Sequence, residues 1–414
     1  MKARLLAGAG LLALSFSAAA TNGYFSHGIG MKSKGMGGAG IAYPQDAVAM
    51  GINPAGAGLV GKRVDVGLDW FRPDRGASIS GNGFGLNGNY DGNGTQNYLI
   101  PEFGLAWPLN QQMTVGVALY GNGGLATEYS NSPFTAFGGS SPSGVDLSQA
   151  FLAPTFAWKP VPTQSIGVSL NLAMQRFAAD GLQPFVPFSS NAAKVTNNGH
   201  DTSYGWGLKL GWIGKFAACT FGAMYQTKTY MSEFDDYAGL FADQGDFDIP
   251  STWGVGAACP VQLATGRMTV AVDYQRINYS DVDAVHNPSA LLFAGIPLGA
   301  SGGPGFGWQD MNVFKLGLDW EVNQTWTVRA GWNYGKQPIR SQDAFINILA
   351  PGLVEHHFTL GATWRPQPNM DVTFGGMLAP QKKLSGPVPG PLGGGSTEIR
   401  LDEWSLGVAV GWRL

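Results

Sequence analysis

The sequence predicts an all-β transmembrane protein: a fourteen-strand antiparallel β-barrel with an N-terminal plug in its lumen. Three observations carry that expectation. An export signal is followed by no apolar run long enough for a spanning helix. Runs of about ten residues alternate apolar and polar side chains from Lys62 to the end. The connections between those runs alternate long and short.

The N-terminus has Lys2 and Arg4, an apolar run from Leu5 to Phe16, and Ala18-Ala19-Ala20. This three-part pattern is that of a secretory signal, with cleavage expected after Ala20. The run is shorter than the roughly 20 residues a spanning helix needs. An exported chain of this kind crosses a membrane only with strands. Charged residues make up 13% of the chain, about half the ~25% usual for soluble domains. Glycine is abundant, at 62 of 414 residues. The net charge of −3 gives no sign of nucleic acid as a partner.

Residues 21–58 form the expected plug. The stretch is rich in glycine, carries scattered Met, Tyr and Phe, and has neither helical nor strand periodicity. Such a segment needs walls around it, and residues 59–414 are read as those walls.

The first strand sets Val64, Val66, Leu68 and Trp70 on one face and Arg63, Asp65 and Asp69 on the other. Period-two alternation of this sort marks a strand with one apolar face. The same pattern recurs over 99–107, 113–119, 152–158, 166–174, 204–212, 219–225, 253–259, 268–274, 314–320, 326–334, 358–364, 370–378 and 406–414. That makes fourteen strands. Short connections fall near 108–112, 159–164, 214–217, 260–266, 322–325 and 366–369. Long ones fall near 81–96, 130–145, 180–201, 231–249, 283–310, 338–354 and 381–401. Short periplasmic turns, long external loops and an even strand number are features of outer-membrane barrels.

The apolar face ends in Trp107, Trp158, Trp212, Trp320, Trp326, Trp364 and Trp412 beside the short turns, as an interfacial aromatic girdle does. The opposite face carries Glu102, Asn171, Lys209, Asp273, Lys315, Asp319 and Arg329, which suits a wet lumen. The last strand must pair with the first to remove both edges. The two cysteines, Cys219 and Cys259, share the lipid-side parity of adjacent strands, and the hairpin joining them centres near Gly239. They are expected opposite one another and bonded in the oxidising periplasm.

With plug and strands laid out, the chain resembles the FadL/TodX family of outer-membrane transporters for long-chain fatty acids and other hydrophobic compounds. The resemblance lies in Asn53-Pro54-Ala55 at the end of the plug and in the segment Tyr120–Tyr129. It extends to Ile249–Trp253 with Tyr274-Gln275-Arg276, and to Trp326–Trp332. It implies capture at external loops, passage to an internal pocket, and sideways exit to the bilayer where the third strand kinks. Gly121, Asn122, Gly123 and Gly124 would form that kink, since glycine inside a strand often marks a bulge or close backbone approach. A glycine-rich strand end feeding a loop is the plainer alternative. Asn53, Pro54 and Ala55 would set the plug, with the Asn53 side chain bonding backbone left bare at the kink.

Apolar loop residues suggest a capture surface, namely Phe185 and Phe188 in one loop and Leu240 and Phe241 in another; mutual packing of the loops is the alternative. Tyr24 and Phe25 of the plug complete the expected ligand-binding set. By resemblance, Arg176 falls where a fatty-acid carrier holds its carboxylate, although its parity is that of the apolar face. Pairing with Asp180 is the other reading. Gln309 stands where the resemblance would align a second cation, so a fatty acid and a neutral or aromatic hydrocarbon both remain as substrates.

No histidine (27, 200, 286, 356, 357) has a nucleophile and carboxylate at motif spacing. No enzyme activity, cofactor or metal is expected, and the partners expected are a hydrophobic small molecule and outer-membrane lipid around a monomer. A porin, distinguished by large steady conductance, and a lipid hydrolase, distinguished by ester cleavage, are the rival functions.

Overall fold

The computed structural model describes residues 22–414; the expected export signal and its cleavage site lie outside the described residues. Fourteen long antiparallel strands form one closed sheet. They are β1 (Arg63–Ser80), β2 (Tyr98–Pro108), β3 (Met113–Tyr129), β4 (Ser143–Val161), β5 (Gln164–Asp180), β6 (Asp201–Phe216) and β7 (Cys219–Gln226). The second half comprises β8 (Thr252–Gln262), β9 (Arg267–Ile277), β10 (Met311–Glu321), β11 (Trp326–Gly335), β12 (His356–Gln367), β13 (Met370–Pro387) and β14 (Ser396–Arg413). Two short strands, Gly88–Asp91 and Tyr230–Met231, extend the sheet on the long-loop side.

Closure is complete along β1, which pairs with β14 from Arg63↔Arg413 to Ser80↔Ser396. Six turns of two to four residues (109–112, 162–163, 217–218, 263–266, 322–325 and 368–369) lie at one end. The alternation follows the sequence pattern. Val66, Leu68, Leu172, Leu210 and Leu360 are exposed on the outer face, while Asp65, Asp69, Asn171, Lys209 and Asp319 are buried on the inner one. Trp107, Trp158, Trp326, Trp364 and Trp412 are exposed beside the short turns, where an amphipathic ring meets the membrane–water boundary.

The stretch 381–401, expected to be a long loop, is instead mainly strand. β13 and β14 continue pairing to Pro387↔Ser396, past an irregularity between Ala379 and Lys382. Lys383, Glu398 and Arg400 on one face and Leu384, Ile399 and Leu401 on the other make an amphipathic hairpin that rises above the apolar band, so its polarity marks height above the membrane. The cysteines meet as the register requires. Ala258 faces Thr220, which brings Cys219 and Cys259 opposite one another with a Cα–Cα distance of 4.4 Å, and they are disulfide-bonded.

Residues 22–58 run through the lumen and touch the wall on nearly every side. Lys32 pairs with Asp371 of β13 at 3.0 Å and Lys34 with Asp69 of β1 at 2.8 Å. The Gly40 and Ile41 amides donate to Asp273 of β9 at 2.7 and 3.0 Å, and Ala47 to Asp65 of β1 at 2.8 Å. Gly37 donates to Thr359 of β12 at 2.8 Å, and Arg329 of β11 holds the Gln45 side chain at 2.9 Å. A segment without regular structure must have its backbone groups satisfied from outside, and the inward polar side chains of the barrel supply that.

Candidate functional site: an interrupted wall, a plug strand and an apolar cavity

The wall is interrupted between β2 and β3. The two strands pair only from Pro108↔Thr114 to Phe103↔Leu119. Beyond that point Tyr98–Glu102 of β2 stay paired with β1, while β3 continues alone toward Glu128. There the Gly94 amide donates to the Glu128 carbonyl and the Glu128 amide donates to the Gly92 carbonyl. On its other side β3 remains bound to β4, with a register shift between Gly121 and Gly123 that leaves Asn122 as an extra residue. A bulge bends the strand that carries it. Arg75 of β1 spans part of the interruption, donating to the Tyr98 hydroxyl at 3.2 Å and to the carbonyls of Thr95 and Ala126.

The start of the plug meets this bulge. Gly124 donates to the Tyr24 carbonyl at 2.9 Å, Ser26 donates to the Asn122 carbonyl at 3.0 Å, and Phe25 bridges to Gly123. Residues 24–26 thus act as a short strand laid on the bulge. A Cβ on Gly123 would stand 1.7 Å from the Tyr24 oxygen, so only glycine permits the approach.

Asn53 is elsewhere. It was expected to bond the kinked strand; its side-chain amide instead donates to the carbonyls of Ile41 (2.8 Å), Trp212 (3.2 Å) and Ala223 (3.3 Å). Trp212 and Ala223 belong to β6 and β7, so Asn53 fixes the end of the plug to a different part of the wall. Its Oδ1 accepts from the Ala55 amide at 3.1 Å, capping the turn Pro54–Gly58. Proline suits the first position of such a turn because it has no amide to satisfy. Ala55 in turn accepts from Ser165 of β5 at 2.7 Å.

Beneath the external loops lies an apolar cavity whose walls include Val145, Phe177, Leu182, Phe185, Leu240, Phe241, Leu298 and Leu349. Its free volume of about 50 Å³ is several times what one water needs, and among the described residues no charged side chain lines it. Rings lead from it to the bulge. Phe177 and Phe241 have centroids 4.6 Å apart, Phe241 and Phe247 4.8 Å, Phe247 and Tyr24 6.2 Å, and Tyr24 and Phe25 5.2 Å. Trp308 and Tyr279 flank Tyr24 at 5.8 and 5.3 Å. A polar relay runs alongside: Asn122 donates to Gln149 at 2.9 Å, Gln149 to Gln175 at 3.0 Å, and Gln175 to the Phe247 carbonyl at 2.7 Å.

Of the expected capture residues, Phe185, Leu240 and Phe241 line the cavity, whereas Phe188 is half exposed and lies outside its lining. Arg176 does not turn inward. Its pairing with Ser148 and Thr202 lies in registers unbroken around it, so it keeps the outward parity of Leu172. Gln309 is exposed, and the inward residue at that place is Trp308, whose indole donates to Asn347 at 2.7 Å. Phe177, Phe247, Tyr279 and Trp308 were not singled out from sequence. Phe247, just before β8, and Trp308, just before β10, carried the available signal: large rings at the junction of loop and strand.

The sequence matches the family described as outer membrane protein transport protein (OMPP1/FadL/TodX) over residues 12–387. The chain belongs to this family. It is therefore an outer-membrane transport protein. Among solved structures, the Pseudomonas putida toluene transporter TodX is similar, with a TM-score of 0.70 at 18% identity, covering 95% of this chain and 100% of that one. A Pseudomonas aeruginosa FadL homologue gives 0.69 at 16%, covering 94% and 99%. The Ralstonia pickettii toluene transporter TbuX gives 0.63 at 17%, with the same coverage. At these identities the likeness is one of fold. No curated protein sequence matches the chain.

Proposed function

We propose that this barrel takes up uncharged hydrophobic molecules of the size of a monoaromatic hydrocarbon and releases them sideways into the bilayer between β2 and β3. The carrying observation is the apolar, uncharged cavity joined by a continuous series of rings to the interrupted wall. Two of the similar structures are described as toluene transporters, which agrees with that size class. With Arg176 outward and Gln309 exposed, no cation among the described residues lines the cavity to meet a fatty-acid carboxylate. The plug closes the lumen through its ion pairs and backbone bonds, so the interruption is the route that crosses least water. Each methylene kept out of water is worth about 0.8 kcal/mol, which favours a passage from dry cavity to lipid.

The test is to lock the interruption. A Cβ on Gly121 would lie 2.9 Å from Ile100 Cγ2 across it, so Ile100→Cys with Gly121→Cys places two thiols on facing strands. Toluene uptake into cells carrying the oxidised pair should fall severalfold and return on reduction, with the unmodified barrel insensitive to the same reductant. Equal uptake by locked and unlocked forms would move the route elsewhere.

A further inference from the structure

Two buried charged groups beside the interrupted wall lack full partners. Glu403 of β14 is 1% exposed, and neither of its carboxylate oxygens has a hydrogen-bond partner among the described residues. Arg75 of β1 is 3% exposed, and its Nε is likewise unpaired. The two face the lumen from adjacent strands, with Glu403 opposite Pro73 and Arg75 opposite Leu401. Diagonal neighbours of this kind are about 7–8 Å apart, within reach of long side chains. Both line a small cavity with Phe71, Leu125, Ala126 and Leu401, and Arg75 is the only cation among the described residues that does so. Its free volume of about 20 Å³ admits one water and no larger ligand. A buried carboxylate without a counter-charge is costly, and the counter-charge within reach of this one is the Arg75 guanidinium.

That guanidinium is engaged elsewhere. It donates to the Tyr98 hydroxyl at 3.2 Å and to the Thr95 carbonyl on one side of the interruption, and to the Ala126 carbonyl of β3 on the other. It thus ties the two edges together next to the Gly94–Glu128 pairing that ends the interruption. The Arg75 backbone is held independently. Its amide donates to Asn93 Oδ1 at 2.8 Å, and its carbonyl accepts from Gly92 at 3.1 Å. The side chain is therefore free to leave both edges without moving β1.

We infer that Arg75 is a latch on the interruption with two seats: the Thr95 and Ala126 carbonyls when the wall is shut, and the Glu403 carboxylate when it opens. In the second seat the guanidinium gains an ion pair, which its planar fork suits, and β3 loses its tie to β2. The wall is shut in this structure, and Glu403 lowers the cost of the open state. The inference rests on the proposed sideways exit for its effect on uptake, while the latch itself is argued from the wall alone.

The experiment follows hydrogen exchange at the Gly94 and Glu128 amides of the folded barrel, and toluene uptake at matched surface levels. Glu403→Gln weakens the second seat and Glu403→Met abolishes it. Both should slow that exchange at least threefold and lower uptake severalfold, Glu403→Met the more. Arg75→Met should speed the exchange at least tenfold, and adding Glu403→Gln to it should change neither readout. Arg75→Gln takes its place if heat-modifiable gel migration shows Arg75→Met unfolded. A carboxylate with a merely structural role gives the opposite sign, faster exchange on its removal. Faster or unchanged exchange in folded Glu403 variants, or a Glu403 effect that persists without Arg75, overturns the latch. So does slower exchange with normal uptake where the oxidised Ile100→Cys, Gly121→Cys pair blocks uptake. If that pair leaves uptake unchanged as well, slower exchange upholds the latch and it is the sideways route that fails.

Discussion

The Tyr24 carbonyl accepts the Gly124 amide at 2.9 Å while standing 1.7 Å from where a Cβ on Gly123 would be. The plug strand and the wall bulge are therefore fitted to each other at a single glycine. Gly123→Ala should leave the barrel closed, since β3–β4 pairing continues on both sides of the bulge. It should detach residues 24–26. Each lost bond is worth about 0.5–1.5 kcal/mol, so hydrogen exchange at the Gly124 and Ser26 amides should rise roughly two- to tenfold. Native exchange rates in a folded Gly123→Ala barrel would show that the pairing does not hold this segment.

Asn53→Ala acts at the other end of the plug. Three carbonyls, of Ile41, Trp212 and Ala223, share the one side-chain amide, and the side chain is fully buried. Leaving buried acceptors unpaired costs about 1–3 kcal/mol. The barrel should still insert, with its unfolding free energy in urea lowered by that amount and amide exchange rising around Ile41 and Ala55. Exchange at Gly124 should stay unchanged, because Asn53 does not touch the bulge.

The Cys219–Cys259 bond closes a loop with a sequence separation of 40. By loop entropy such a cross-link stabilises by about 4 kcal/mol. Ser replacements at both positions should lower stability by up to that amount without preventing insertion, because the β7–β8 ladder aligns the two positions independently. Thiol labelling of denatured, unreduced protein should give no signal, and two labelled thiols would contradict the bond.

What was readable in the sequence was the wall. Period two fixes each side chain's face locally, so Leu172 and Asn171 could be assigned without knowing their neighbours, and the facing cysteines followed from strand parity and the centre of the hairpin that joins them. The plug's partners were not readable. Asn53 is separated by 159 residues from Trp212 and by 170 from Ala223, and no local pattern encodes such a contact. Parity did argue against Arg176 pointing inward, and the unbroken register upholds it. At Gln309 the inward residue is one position earlier, because Gln309 and Trp308 precede β10 in a loop, where alternation no longer governs direction.

The loop over the cavity should respond to pH. Burial, then the neighbouring Asp248, pushes the Asp246 carboxyl up to about 6. Lys228, which pairs with Asp248 at 2.7 Å, opposes this more weakly, and Asp243 adds to it. A carboxyl raised above its unfolded value binds more protons when folded, so its charged form destabilises the loop at neutral pH. Stability should rise as pH falls through about 6 toward the unfolded value of ~4. Amide exchange over 227–251, corrected for intrinsic rates, should therefore be better protected at pH 5 than at pH 7. Asp246→Asn should remove most of that difference; an unchanged pH response would assign it to another group.

The relay from Asn122 through Gln149 and Gln175 to the Phe247 carbonyl gives the bulge and the ring next to the cavity a shared set of buried hydrogen bonds. Gln149 is 1% exposed, so water cannot replace it. Gln149→Leu keeps the approximate volume and removes both links, leaving the Asn122 amide and the Gln175 oxygen without their partner. Each single variant, Gln149→Leu or Asn122→Ala, should lower stability by about 1–3 kcal/mol. If the residues act as one network, the double variant should lose less than the sum, by about 0.5–3 kcal/mol. Denaturant unfolding of the four proteins measures this directly. Losses that add within ~0.3–0.5 kcal/mol would mean the bonds are independent, and that a change at the bulge does not reach Phe247 by this path.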